Sequence, residues 1–161
     1  MNENTIYTET QTFLNKWIWL LIGQITIFGI YQLFIEYQAL EPIIFPILLW
    51  VGIIAILVLV KLQTTIDLDG IHVKFFPFII GNKSFLWEDI DAVYVRKYTA
   101  WEFGGWGYRI SGSGVAYSTS GFYGIQLKLK SGRRILVGTH NPKKVQILLT
   151  KLNPDEQKEI L

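Results

Sequence analysis

The sequence predicts a membrane-anchored α+β protein, in which an N-terminal two-helix transmembrane hairpin precedes an antiparallel β-barrel or sandwich of about seven strands capped by a C-terminal α-helix. Three observations predict it. Half of the 161 residues are apolar, which is high for a small domain that packs only against water. Two uncharged apolar runs, 17–35 and 42–60, stand before a segment in which the hydrophobic period changes to two. The charge is also divided: residues 1–60 carry one basic and four acidic residues (net −3), leaving fourteen basic and nine acidic residues (net +5) in 61–161.

Each apolar run makes about 28 Å of helix, close to the ~30 Å of a hydrocarbon core. The short connector "EYQALE" makes them a hairpin with both chain ends on one side. It holds no Lys or Arg, whereas Lys16 and Lys61 flank the outer ends, so the positive-inside rule places both termini in the cytoplasm. The expectation is a multi-pass protein of the cytoplasmic (inner) membrane with a cytoplasmic N-terminal segment at 1–16. Trp17, Trp19, Tyr31 and Tyr37 suit interfacial belts. Gln24 and Gln32 are read as an interhelical hydrogen bond if they face the second helix, and as a partner contact if they face outward.

From Lys61 onward the chain alternates. "TTIDLDGIHVKFFPFII" reads as two strands with a turn at Asp69-Gly70, "SFLW" and "DAVYVRKY" as two more, and "IQLKLKSGRRILVGT" as a hairpin turning at Ser131-Gly132. Asn141 as N-cap, Pro142 at the first helical position and the spacing of Val145, Leu148, Leu149 and Leu152 predict the closing amphipathic helix. A polar tail, 153–161, follows.

"FLWEDIDAVYV", "GRRILVGT" and "NPKKVQILLTKL", in that order after two apolar spans, resemble the bacterial pleckstrin-homology-like (PH-like) domains and the small two-span membrane proteins that carry them. The resemblance covers 62–152 as the domain. It implies a membrane-anchored binding or scaffolding module at the cytoplasmic face, with membrane lipids and a membrane or cytoplasmic protein as its partners. The alternative is a structural accessory subunit of a larger membrane protein complex. PH domains that bind phosphoinositides do so mainly with basic residues around the first hairpin loop, whereas here that loop is "DLDG", and Asp67 and Asp69 would repel a phosphorylated headgroup.

Two features stand out as candidate sites. Arg133 and Arg134 follow a hairpin turn, and Lys143 and Lys144 occupy the first turn of the closing helix, where the dipole disfavours cations; together they form a candidate anion- or lipid-binding group. The stretch 101–124 is crowded with glycine and aromatic residues, and Trp101, Phe103, Trp106 and Tyr108 are its candidate membrane or partner contacts. It lacks the strand-to-helix context and the spacing of a phosphate loop. The expectation is a glycine-bent segment whose rings partly fill the barrel mouth and partly face outward.

No catalytic, cofactor or metal site is expected. There is no cysteine, the two histidines are 68 positions apart with no H-E-x-x-H, and no serine sits in a G-x-S-x-G elbow. The acidic run in "WEDID" reads as a turn between strands. A net +5 spread over a hundred residues, without a basic aromatic strand face, argues against nucleic acid.

Overall fold

In the computed structural model, which describes residues 5–13, 16–35, 41–79 and 81–152, the chain forms two compact units. Thr12–Val60 make one; Met1–Gln11 and Lys61–Leu161 make the other.

The first unit holds helices α1 (Lys16–Ile35) and α2 (Glu41–Leu59). They are linked by the Trp50 indole N–H, which donates to Thr26 Oγ1 at 3.3 Å, while the Thr26 hydroxyl donates back to the Ile22 carbonyl at 2.7 Å. Ile22 is buried; Trp19, Leu20, Ile27, Phe28, Leu48 and Val51 are exposed. Gln24 is exposed.

Among the described residues no helix is long and apolar enough to cross a membrane. This corrects the expected transmembrane hairpin at 17–35 and 42–60, the membrane anchoring and the multi-pass placement in the inner membrane. The connector at 36–40, the tail at 153–161 and the side chains of Lys16, Trp17 and Gln32 lie outside the described residues.

The second unit is built from two sheets. The first has the order β1-β2-β3-β4, with β1 (Thr5–Thr12), β2 (Lys61–Asp67), β3 (Gly70–Phe76) and β4 (Lys83–Leu86). The second has the order β5-β8-β9-β7-β6, with β5 (Ile90–Lys97), β6 (Gly107–Ser111), β7 (Gly114–Ser118), β8 (Tyr123–Leu129) and β9 (Arg134–Gly138). Among the described residues nine strands stand where about seven were expected, and the pairing is not wholly antiparallel, because β7 runs parallel to β9. Three of them are not among the strands read individually from the sequence: β1 comes from the N-terminal segment ahead of the helices, and β6 and β7 come from the glycine and aromatic stretch.

Alternation decides what each sheet buries. Leu62, Thr64, Ile66, Ile71, Val73, Phe75 and Phe85 point inward from the first sheet, and Val93, Val95, Ile125, Leu127, Ile135 and Val137 from the second. Helix α3 (Pro142–Leu152) packs on β5 and β8 and buries Val145 and Leu149. On β1 the inward positions are polar: the Gln11 amide donates to the Gly138 carbonyl at 2.7 Å and accepts from the Thr119 hydroxyl at 3.1 Å. So β1 meets the far ends of β7 and β9, whereas Phe85 of β4 lies with Val115 and Ile135 at their beginnings. The first sheet is therefore laid across β9, strand after strand along its length.

The outer face of the second sheet carries a smaller core. A 3-10 turn, Ala100–Phe103, folds over it and brings Phe103 (4% exposed) against Tyr98, Ala116 and Leu136. The turn is tied down by Glu102, which accepts from both terminal nitrogens of Arg96 at 3.0 and 2.5 Å, while Arg96 Nε donates to Gln126 at 2.9 Å. Phe103→Ala should cost ~3–5 kcal/mol through lost transfer energy and the cavity left behind. Trp101, only two residues earlier but 91% exposed, should tolerate serine within ~0.5 kcal/mol. Urea unfolding of the two variants checks the contrast; equal losses would contradict this packing.

Candidate functional site

A cavity of about 590 Å³ opens where β4 passes over the beginnings of β7 and β9. Its floor is apolar and aromatic, formed by Phe85, Tyr108, Ile110, Val115, Tyr117 and Ile135, and the glycines of the β6–β7 and β8–β9 turns line its rim. Tyr108 and Tyr117 are cross-strand partners whose rings stack with centroids 5.4 Å apart. Burial pushes the Tyr117 phenol up, the neighbouring Tyr108 adds to this, and the Arg133 charge opposes it. Tyr117 therefore stays a neutral donor near neutral pH.

Three cations, Lys83, Arg133 and Arg134, stand around this floor, and no carboxylate does. All three are exposed, and none has an acidic partner among the described residues; Arg133 reaches only the Ser131 hydroxyl, at 3.4 Å. Local structure explains the clustering. The β8–β9 turn, with Gly132 at φ 81°, ends in two consecutive arginines, and Gly114 lets β7 come close enough to β9 for parallel pairing beside Arg134. Lys83 and Phe85 share a face of β4, two residues apart.

The four cations expected to act together are thus separated. Arg133 and Arg134 line the cavity, whereas Lys143 and Lys144, on the first turn of α3, are not among its walls. Lys144 instead sits over the Tyr7 ring at 5.3 Å. The four aromatic candidates separate as well. Tyr108 belongs to the cavity, Phe103 is core, Trp106 donates its indole N–H to the Gly121 carbonyl at 3.1 Å, and Trp101 projects outward. Sequence reasoning missed Lys83, Phe85 and Tyr117. "KSFL" carries the signal for the first two only if β4 is already known to border the arginine turn, and that is a property of the topology.

Two polar clusters elsewhere include histidine. Ser120 Oγ lies 3.0 Å from His140 Nε2, and the nearby carboxylate, Glu9, accepts from the backbone N–H of His140 rather than from its ring. On the outer face of the first sheet, His72 bridges Ser84, at 2.8 Å, and Asp67, at 3.0 Å. Asp67 Oδ1 also accepts from the N–H groups of Asp69 and Gly70, both at 3.0 Å, in the β2–β3 turn. Burial would raise the Asp67 carboxyl, but the donors from Gly70, His72 and Asp69 outweigh it and hold the group below the ordinary carboxylate range.

Because the folded-state value is depressed, the stabilisation is present above the unfolded pKa of about 3.9 and is lost as pH falls through the lower folded value. Urea midpoints taken from pH 6 down to pH 2.5 should therefore fall more for the parent than for Asp67→Asn. Parallel curves would remove Asp67 from the acid response.

No family model matches the chain, and no curated protein or solved structure matches it.

Proposed function

We propose that the β unit is a binding module whose ligand carries an anionic group beside an apolar portion, and that the ligand sits in the cavity between β4 and the β6–β7 and β8–β9 turns. One observation carries this reading: Lys83, Arg133 and Arg134 surround a partly apolar pocket with no carboxylate among the described residues to neutralise them. Three unpaired cations at short range raise the local concentration of an anion, and Arg offers a fork that holds carboxylate or phosphate through two parallel bonds. The aromatic floor contributes apolar area next to that charge. The resemblance to PH-like domains supports binding or scaffolding over catalysis.

The test is equilibrium binding of dodecyl phosphate, below its micelle concentration, to the full chain and to an R133E/R134E variant. α1 and α2 expose apolar side chains that also take up alkyl chains, so the contribution of the cavity is read as the part the variant loses. A loss of tenfold or more, shrinking as salt rises, is expected. Equal binding by the variant would sink the reading.

A further inference from the structure

The two sheets are unequal, and the inequality is located at the cavity. The first has four strands laid across β7 and β9, and its last strand, β4, pairs with β3 alone among the described residues. Among the described residues no strand covers the hairpin tips of the second sheet beyond β4. There Ile110 is 72% exposed and Tyr108 37% exposed, although both lie on the cavity wall with the buried Tyr117. One side of this gap is a strand edge with free backbone N–H and C=O groups, the floor is apolar, and the cations stand at the rim.

From this juxtaposition we infer that the cavity receives an acidic, extended peptide segment of a partner protein, which adds to β4 as the fifth strand of the first sheet. The inference rests on the anionic-ligand reading above and names the ligand class. Strand addition uses the backbone edge of β4, which neither a lipid headgroup nor a free phosphate can use. A neighbouring strand lies ~4.8 Å away and alternates its side chains. Its inward-facing apolar residues then cover Tyr108 and Ile110, while acidic residues at the ends of the paired stretch, or a terminal carboxylate, reach Lys83, Arg133 and Arg134. Charge complementarity selects the acidic peptide, because the rim offers no carboxylate to a basic one. β4 is only four residues long, so the paired stretch is short and the complex exchanges readily.

The experiment uses the full chain and a fluorescein-labelled heptapeptide with valine at its central positions and glutamate at both ends, followed by anisotropy. Two analogues carry backbone N-methyl groups, one on the odd residues and one on the even residues, and a third replaces glutamate by lysine. Expected results are saturable binding of the parent peptide, a loss of tenfold or more for one N-methyl series but not the other, and a similar loss for the lysine peptide and for R133E/R134E. Hydrogen exchange of the β4 amides should slow when the peptide is bound. Failure of the parent peptide to bind, or equal binding of all backbone analogues with unchanged β4 exchange, overturns strand addition. If dodecyl phosphate still binds in an Arg133- and Arg134-dependent way, the anionic-ligand reading survives that failure; if it does not, both fall.

Discussion

Replacing Glu9 by alanine is expected to destabilise the β unit by ~3–5 kcal/mol, the largest effect of any single side chain on β1. Glu9 is 8% exposed, and its two carboxylate oxygens are saturated by donors from three directions. Oε2 accepts from the Tyr7 hydroxyl at 2.8 Å and the Thr139 hydroxyl at 2.7 Å; Oε1 accepts from the Gln11 amide at 3.1 Å and the His140 backbone N–H at 2.7 Å. Alanine leaves four donors without an acceptor in a place water reaches poorly, and each buried donor so orphaned costs ~1–3 kcal/mol before relaxation. Burial, then the hydrogen bond and charge of Glu9, push the Tyr7 phenol up to about 12, so it remains a donor across the working pH range. Glu9→Gln keeps one acceptor oxygen, and the two hydroxyls can rotate, so its cost should stay near ~1–2 kcal/mol. Urea midpoints give the ranking, and hydrogen exchange of the β1 amides should accelerate in the alanine variant. If alanine costs less than ~1 kcal/mol, the cluster is not what holds β1 to the ends of β7 and β9.

That cluster also shows why part of the fold was hidden in the sequence. "TIYTETQT" alternates, but apart from Ile6 its residues are polar or aromatic. A strand signal built on apolar residues at every second position does not register a strand whose buried side is Tyr7, Glu9 and Gln11. Where the alternation was apolar it could be read directly. The Asp69-Gly70 turn, "DAVYVRKY" and the hairpin ending "RRILVG" correspond to β2–β3, β5 and β8–β9, and Pro142 opens α3 as its N1 preference dictates. In 101–124 the glycines obscured β6 and β7, because glycine carries no side chain to mark a face.

The candidate site was half legible for a related reason. Arg133 and Arg134 could be picked out as adjacent charges after a turn, but their partners around the cavity, Lys83 on one sheet and Tyr108 and Tyr117 on the other, are separated from them by 16 to 51 positions. The parallel pairing of β7 with β9 brings in the tyrosines, and the crossing of the sheets brings in Lys83. Grouping them with Lys143 and Lys144 followed the argument that cations set against the dipole of the closing helix serve an anion, but α3 packs on β5 and β8 and takes its lysines elsewhere. The apolar runs at 17–35 and 42–60 are the opposite case: composition read strongly, while the described residues hold no helix that crosses a membrane. The described side chains of α1 also include Gln24 and Thr26, and Thr26 serves the hydrogen bond to Trp50.

Gly114→Ala should cost ~3–5 kcal/mol and should also weaken the cavity's hold on an anion. At φ 117° an L side chain is strained, and a Cβ there would overlap the Arg134 carbonyl oxygen and stand 2.9 Å from both the carbonyl carbon and the Cβ of Arg134. A backbone atom cannot rotate aside as a flexible side-chain tip can, so β7 must retreat from β9. The parallel pairs Val115↔Ile135 and Ala116↔Leu136 would then loosen. Arg134 moves with that contact, which links a packing defect to the site. Gly112, two residues earlier in the β6–β7 turn, is the control: a Cβ there meets nothing within 4 Å, and Gly112→Ala should change stability by no more than ~1 kcal/mol. Paired urea unfolding curves and dodecyl phosphate titrations of the two variants provide the measurement. An alanine at 114 as well tolerated as one at 112 would mean that β7 and β9 do not approach at this glycine, and the floor of the cavity would have to be redrawn.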